Sequence, residues 1–133
     1  MPLIPCALGQ DARMSESKRY EGGCHCGLVR YDVSLDLSQP LVSCNCSICL
    51  KTGMLLGFAP AEQFNLQKGA EHITDYQFGK KSIHHLFCDT CGVRSFGKGT
   101  MPDGKEMRAI NVRCLDGIEL DGLPVMKVDG KNL

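Results

Sequence analysis

Between positions 29 and 35 apolar and polar residues alternate, with Val29, Tyr31, Val33 and Leu35 set against Arg30, Asp32 and Ser34. A period of two places the four apolar side chains on one face, which predicts a half-buried β-strand. Residues 54–59 form a short apolar run that Pro60 closes, and they predict another strand. Residues 61–64 leave room for one helical turn. Residues 73–78 and 82–87 flank Gly79-Lys80-Lys81 as the arms of a hairpin flank its turn. Residues 107–114 and 125–128 predict two further strands, stopped by Asp116-Gly117 and Asp129-Gly130. No segment sustains a helical period over three turns. The expected class is mainly β with short helical turns.

Residues 1–19 lack a periodic apolar face and read as a flexible N-terminal extension, with Met14 a candidate natural start. Residues 20–133 read as a single domain, since the 133-residue chain suits one core of moderate size. Fifteen Lys and Arg balance fifteen Asp and Glu, and the basic residues are scattered. That gives no basic excess to bind phosphates, so a nucleic-acid platform is not expected. The apolar start is too short and proline-broken for a secretory signal, and no run approaches a membrane span. The chain reads as cytoplasmic, where thiols stay reduced.

Against that background the nine cysteines stand out. Seven fall in three tight groups: Cys24-His-Cys26, Cys44-Asn-Cys46-Ser-Ile-Cys49 and Cys88-Asp-Thr-Cys91. Each lies near glycines, where a turn can fold around an ion at the ~2.3 Å of a Zn–S bond. A Cys-x-x-Cys turn is a common half-site of structural zinc, and two distant half-sites make a closed tetrahedral centre. A thioredoxin-like redox pair at Cys88 and Cys91 would call for a βαβ pattern, which is absent. The simplest partition of seven is one closed four-cysteine site and one three-cysteine site with an open position. Cys44, Cys46 and Cys49 are close enough in sequence to converge on one ion, leaving Cys24 and Cys26 to join Cys88 and Cys91. Grouping Cys24 and Cys26 with part of the middle set leaves an awkward remainder. A structural zinc contributes roughly 10–16 kcal/mol of apparent binding energy, more than most domains hold in net stability.

In their contexts these groups resemble the glutathione-dependent formaldehyde-activating enzyme family, which also includes centromere protein V. The matching pieces are Gly22-Gly-Cys-His-Cys-Gly-Leu-Val-Arg-Tyr31, Cys44-Asn-Cys-Ser-Ile-Cys49 with Lys51 and Gly53, and His85-Leu-Phe-Cys-Asp-Thr-Cys-Gly92 with Ser95-Phe96. Asn111-Val-Arg-Cys-Leu-Asp-Gly117 and Asp129-Gly130 add to the likeness, which covers about residues 20–131. The resemblance implies a β-tent of several small twisted antiparallel sheets pinned by zinc. It implies a structural zinc on Cys24, Cys26, Cys88 and Cys91. A second zinc, on Cys44, Cys46 and Cys49, would be catalytic and more labile. The implied activity is that of a carbon–sulfur lyase resembling S-(hydroxymethyl)glutathione synthase, acting on adducts of a small thiol such as glutathione with an aldehyde. The competing reading is a non-catalytic zinc-stabilised binding domain, which a basic tail would favour and this chain lacks.

Other residues carry weaker signals. His25, between two expected ligands, reads as a surface group or a partner to the zinc ligands. His84 and His85 are adjacent in a strand and so face opposite sides. His85 is the better candidate for contact with a site, and either residue is an option for a fourth ligand or a general base. Lys51, Arg30 and Arg94 each lie near a cysteine group, either as offsetting cations or as ordinary surface charges. Cys114 reads as a small buried apolar residue and Cys6 as incidental.

Overall fold

The computed structural model describes residues 17–78 and 83–129. Its elements run β1 (Lys18–Gly23), β2 (Arg30–Leu35), β3 (Leu41–Cys44), α1 (Ser47–Thr52), β4 (Leu56–Pro60), β5 (Phe64–Lys68), β6 (Ile73–Tyr76), β7 (Ile83–Cys88), β8 (Phe96–Thr100), β9 (Glu106–Asn111) and β10 (Val125–Val128). Single 3-10 turns at Ala61–Gln63, Ala70–His72 and Val112–Cys114 link some of them. The architecture is mainly β, in two sheets. One has three strands in the order β1-β2-β5, and the other has seven in the order β10-β3-β4-β9-β8-β7-β6. All pairings are antiparallel except β10 on β3, which is parallel. No helix among the described residues is long and apolar enough to cross a membrane.

The two sheets meet through the alternation read in β2. Tyr31, Val33 and Leu35 are buried, as is Val29 just before them. They face Leu41, Ala59, Leu86, Phe96 and Ile110 in the core. Tyr31, Phe64 and Phe96 close a triangle of rings with centroids 4.6–5.5 Å apart, a spacing at which aromatic pairs add to the area they bury. The Tyr31 hydroxyl donates to the Ser95 carbonyl at 2.9 Å, so its burial leaves no unsatisfied donor.

Several boundaries differ from the pattern. The first strand begins at Lys18, so residues 18 and 19, assigned above to the extension, belong to β1. Their pairing has a cause: Arg19 bridges to Asp32 and donates to Ser34 Oγ at 2.9 Å. Gln67, then Arg19 and Asn65, hold the Asp32 carboxyl below its ordinary range against the opposing effect of burial. The strand expected over 107–114 stops at Asn111 and turns. The Asn111 side chain accepts from the Arg113 backbone N–H at 3.3 Å, and Val112 is fully buried. β4 starts at Leu56 rather than at residue 54, and β6 ends at Tyr76 rather than at residue 78. Residues 1–16, with Cys6 and Met14, the turn at 79–81, Ser82 and Gly130 lie outside the described residues.

Candidate metal centres and the cleft beside them

β1 ends in Gly22-Gly23, and the chain then turns sharply so that Val29 returns against it. A Cβ on Gly23 would lie 2.0 Å from the Val29 carbonyl oxygen, so only glycine permits the approach. The turn aims Cys24 and Cys26 at the far end of β7, where Cys88 and Cys91 flank a second tight turn. Gly92 closes that turn in the left-handed region, at φ 79°, and donates to the Cys88 carbonyl at 2.9 Å. The four sulfurs lie within 4.8 Å of one another. Cys24 to Cys26 measures 3.6 Å and Cys26 to Cys88 3.7 Å. A tetrahedral ion with ~2.3 Å bonds to sulfur separates its ligands by about 3.8 Å, so the donor set fits zinc closely.

Backbone donors surround these sulfurs. Val29 N–H reaches Cys24 Sγ at 3.3 Å, and the Thr90 and Cys91 N–H groups reach Cys88 Sγ at 3.4 and 3.5 Å. Burial raises the Cys91 thiol, yet the Val93 and Cys26 N–H groups, the Cys88 thiol and the His25 N–H outweigh it and bring it down to about 6. Cys26 goes the other way. The Leu28 N–H lowers it, but burial and the neighbouring thiols of Cys24, Cys88 and Cys91 push it up to about 12.

The middle group forms at the end of β3. Cys44 is the last residue of that strand, Cys46 caps α1 and Cys49 lies within the helix. Asn45 is pinned by its N–H to the Val128 carbonyl at 3.1 Å and by its side-chain amide to Asp129 at 2.8 Å, which ties the loop to β10. The Cys46 N–H donates to Cys44 Sγ at 3.4 Å, and the three sulfurs also lie within 4.8 Å of one another. Burial raises Cys46, but N–H and thiol contacts from Cys49, with Cys44 and Ile48, draw it below its ordinary value. Burial first, then Cys46 and Cys44, push Cys49 up to about 12. Among the described residues no fourth His, Cys, Asp or Glu joins these three. The trio can hold a metal ion and leave a coordination position open.

The three cysteines line a cleft of about 320 Å³. Strand register builds its floor. Residues opposite one another across the sheet share a face, and one such row runs Tyr76, His85, Gly97, Ala109, Phe58. The next row runs Ile83, Gly99, Met107, Pro60. Small residues at 97, 99 and 109 between larger ones leave a trough, and Val42, Cys44 and Leu56 continue it on β3 and β4. A Cβ at Gly99 would meet only the Ile83 side chain, at 3.9 Å. Gly99→Leu should therefore keep or raise the melting temperature, because a strand glycine gains β propensity, while filling the trough. Thiol binding in the cleft should weaken roughly tenfold or more. Unchanged binding by calorimetry would place the ligand elsewhere.

The structure sorts the remaining candidates. His85 lines the cleft and stacks on Phe78, with centroids 5.2 Å apart; burial, then the Arg94 charge, lowers its pKa and so favours the uncharged ring. His84 is engaged by Asp75 at 2.5 Å. His25 is exposed. Arg30 is paired with Asp116, and Lys51 is exposed on the last turn of α1. Only Arg94 of the three expected cations lines the cleft. Cys114 stands apart from both clusters, pushed up to about 11 chiefly by burial. Sequence reasoning missed the trough itself. Its signal lay in small residues two apart at 97 and 99 and again at 109, which line up once β8 and β9 are paired.

Comparison with known proteins points one way. A family model described as glutathione-dependent formaldehyde-activating enzyme matches residues 19–128. A Halomonas elongata protein named "Putative glutathione-dependent formaldehyde-activating enzyme" is 39% identical over 79 residues, 53% of this chain and 50% of that protein. The match thus spans about half the length of that curated relative. A crystal structure of a Rhodobacter sphaeroides protein superposes with a TM-score of 0.69 at 32% identity. It covers 80% of this chain and 99% of its own. With the family match running through both cysteine clusters and the whole described β-fold, the chain belongs to the glutathione-dependent formaldehyde-activating enzyme family.

Proposed function

We propose that the chain is a zinc-dependent carbon–sulfur lyase that makes and breaks adducts of a small thiol with an aldehyde. The observation that carries this reading is the convergence of three cysteine sulfurs, with no fourth protein ligand among the described residues, at the edge of an apolar cleft. Cys44, Cys46 and Cys49 would hold the zinc of this site, and Cys24, Cys26, Cys88 and Cys91 the zinc of the structural one. Bound at the trio, zinc would act as a Lewis acid that stabilises a thiol as its thiolate near neutral pH.

The protein's own residues do the rest. In the adduct direction a C–S bond forms between the thiol sulfur and the carbonyl carbon, and the thiol proton ends on the carbonyl oxygen as a hydroxyl. Cleavage reverses both changes, so one group that alternately accepts and donates a proton suffices. His85, which lines the cleft, is the group suited to that exchange. Met54, Leu56, Phe58 and Met107 give the cleft an apolar lining, which would favour the aldehyde over its more polar hydrate and strengthen polar contacts within.

Cobalt in place of zinc tests the reading directly. The visible spectrum of the cobalt protein should change on adding N-acetylcysteine, as a further sulfur approaches the metal. The same protein should release formaldehyde from the S-hydroxymethyl adduct of that thiol faster than buffer does. A spectrum indifferent to thiols, with no accelerated release, would leave the non-catalytic binding domain as the better account.

A further inference from the structure

Arg94 is an unusual lining residue for an apolar cleft. Its Nη1 is fully buried and has no hydrogen-bond partner among the described residues. That nitrogen is closed to a ligand, and the rest of the guanidinium is what a molecule in the cleft would meet. The arginine is also held in place. Its guanidinium lies 5.0 Å from the centre of the Phe87 ring and 6.0 Å from that of Tyr76, distances at which a cation is attracted to an aromatic face. Its backbone carbonyl accepts from the Asn111 side-chain amide at 2.9 Å, and the next carbonyl, of Ser95, accepts from Tyr31. The charge is therefore presented by a fixed backbone and an aromatic wall.

Among the described residues the cleft's lining includes Arg94 and Lys98 but no Asp or Glu, so the groups there able to offset this cation are the thiols of Cys44, Cys46 and Cys49 rather than carboxylates. Resting on the lyase reading above, we propose that Arg94 determines substrate specificity by binding the carboxylate of a small acidic thiol whose sulfur lies toward Cys44, Cys46 and Cys49. The guanidinium fork matches a carboxylate in shape and pairs with it through short charge-assisted hydrogen bonds. The apolar trough between the arginine and the cysteines would hold the carbon chain that links the two ends of the ligand.

Four probes separate the carboxylate from the sulfur: N-acetylcysteine, its isosteric amide, and the S-methyl derivative of each. Calorimetry on the metal-loaded protein should show each acid binding roughly 10- to 100-fold tighter than its amide, in both the thiol and the S-methyl pair. Arg94→Gln should abolish that ratio, Arg94→Lys should retain part of it, and Lys68→Gln, at an exposed position on β5 in the other sheet, should leave it intact. Equal binding of acid and amide by the wild type overturns the proposal, and that comparison needs no variant to fold. A ratio that survives Arg94→Gln also overturns it. So does an Arg94→Gln protein that weakens acid and amide alike, since the arginine would then serve the charge of the metal site. The lyase reading fails separately, when S-methylation leaves affinity unchanged and the cobalt spectrum ignores thiols; the acid-to-amide ratio still decides the role of Arg94.

Discussion

Replacing Cys88 by serine should unfold the protein, and it is the change expected to cost the most. Cys88 is fully buried at the end of β7, and its sulfur sits 3.7 Å from that of Cys26, 62 positions away in sequence. The four-cysteine cluster thus ties the turn after β1 to the turn after β7, joining the small sheet to the large one. A structural zinc contributes roughly 10–16 kcal/mol on folding, against about 5–15 kcal/mol of net stability for a typical domain. Removing one of four ligands forfeits most of that and leaves a polar hydroxyl in a buried position. The variant should lose far-UV strand signal and its cooperative thermal transition, and exhaustive chelation of the wild type should reproduce both effects. A Cys88→Ser protein that melts cooperatively with native strand content and no bound metal would refute the structural role of this site.

Much of this fold could be read before any coordinates, and where reading stopped follows from physics. The alternation in β2 was plain because one face of that strand carries the core, so each apolar residue had to fall on an even step. The β6–β7 hairpin and β10 were legible for similar reasons. β8, with the sequence Phe-Gly-Lys-Gly-Thr, was not, because two glycines argue against a strand unless the neighbours are known. β1 was hidden by its charges: Lys18 and Arg19 look like a tail until Asp32 and Ser34 appear across the ladder. The cysteine groups were legible from spacing because metal ligands must cluster, and local spacing enforces part of that. The trough depends on register across five strands, a relation that no local window contains, and the place of Arg94 in the cleft became visible only with it, although its closeness to a cysteine group was plain. A local contact decided where β9 ends, since the Asn111 side chain accepts from the Arg113 N–H and turns the chain just where apolar residues continue.

The three-cysteine site should behave in the opposite way to the four-cysteine one. Cys44, Cys46 and Cys49 are each only half-buried, and all come from one short stretch at the end of β3 and the start of α1. An ion held there closes a local loop and links no distant strands. Its loss removes little folding energy, since the loop is also fixed by Asn45 to Val128 and Asp129. With three thiolates and an open position, the ion should also bind more weakly than one in a closed four-thiolate site. Cys46→Ser should therefore keep the wild-type strand content, shift the melting transition by about 1–2 kcal/mol or less, and lower bound zinc from about two equivalents to about one. In the wild type the second equivalent should be the first to leave for a competing chelator. The cobalt response to thiols should vanish in Cys46→Ser, and with it the accelerated release of formaldehyde from the adduct. If Cys46→Ser instead collapses, the trio is structural and the lyase reading loses its main support. If reconstituted wild type holds one tight equivalent and no more, the division of seven cysteines into four and three is itself wrong.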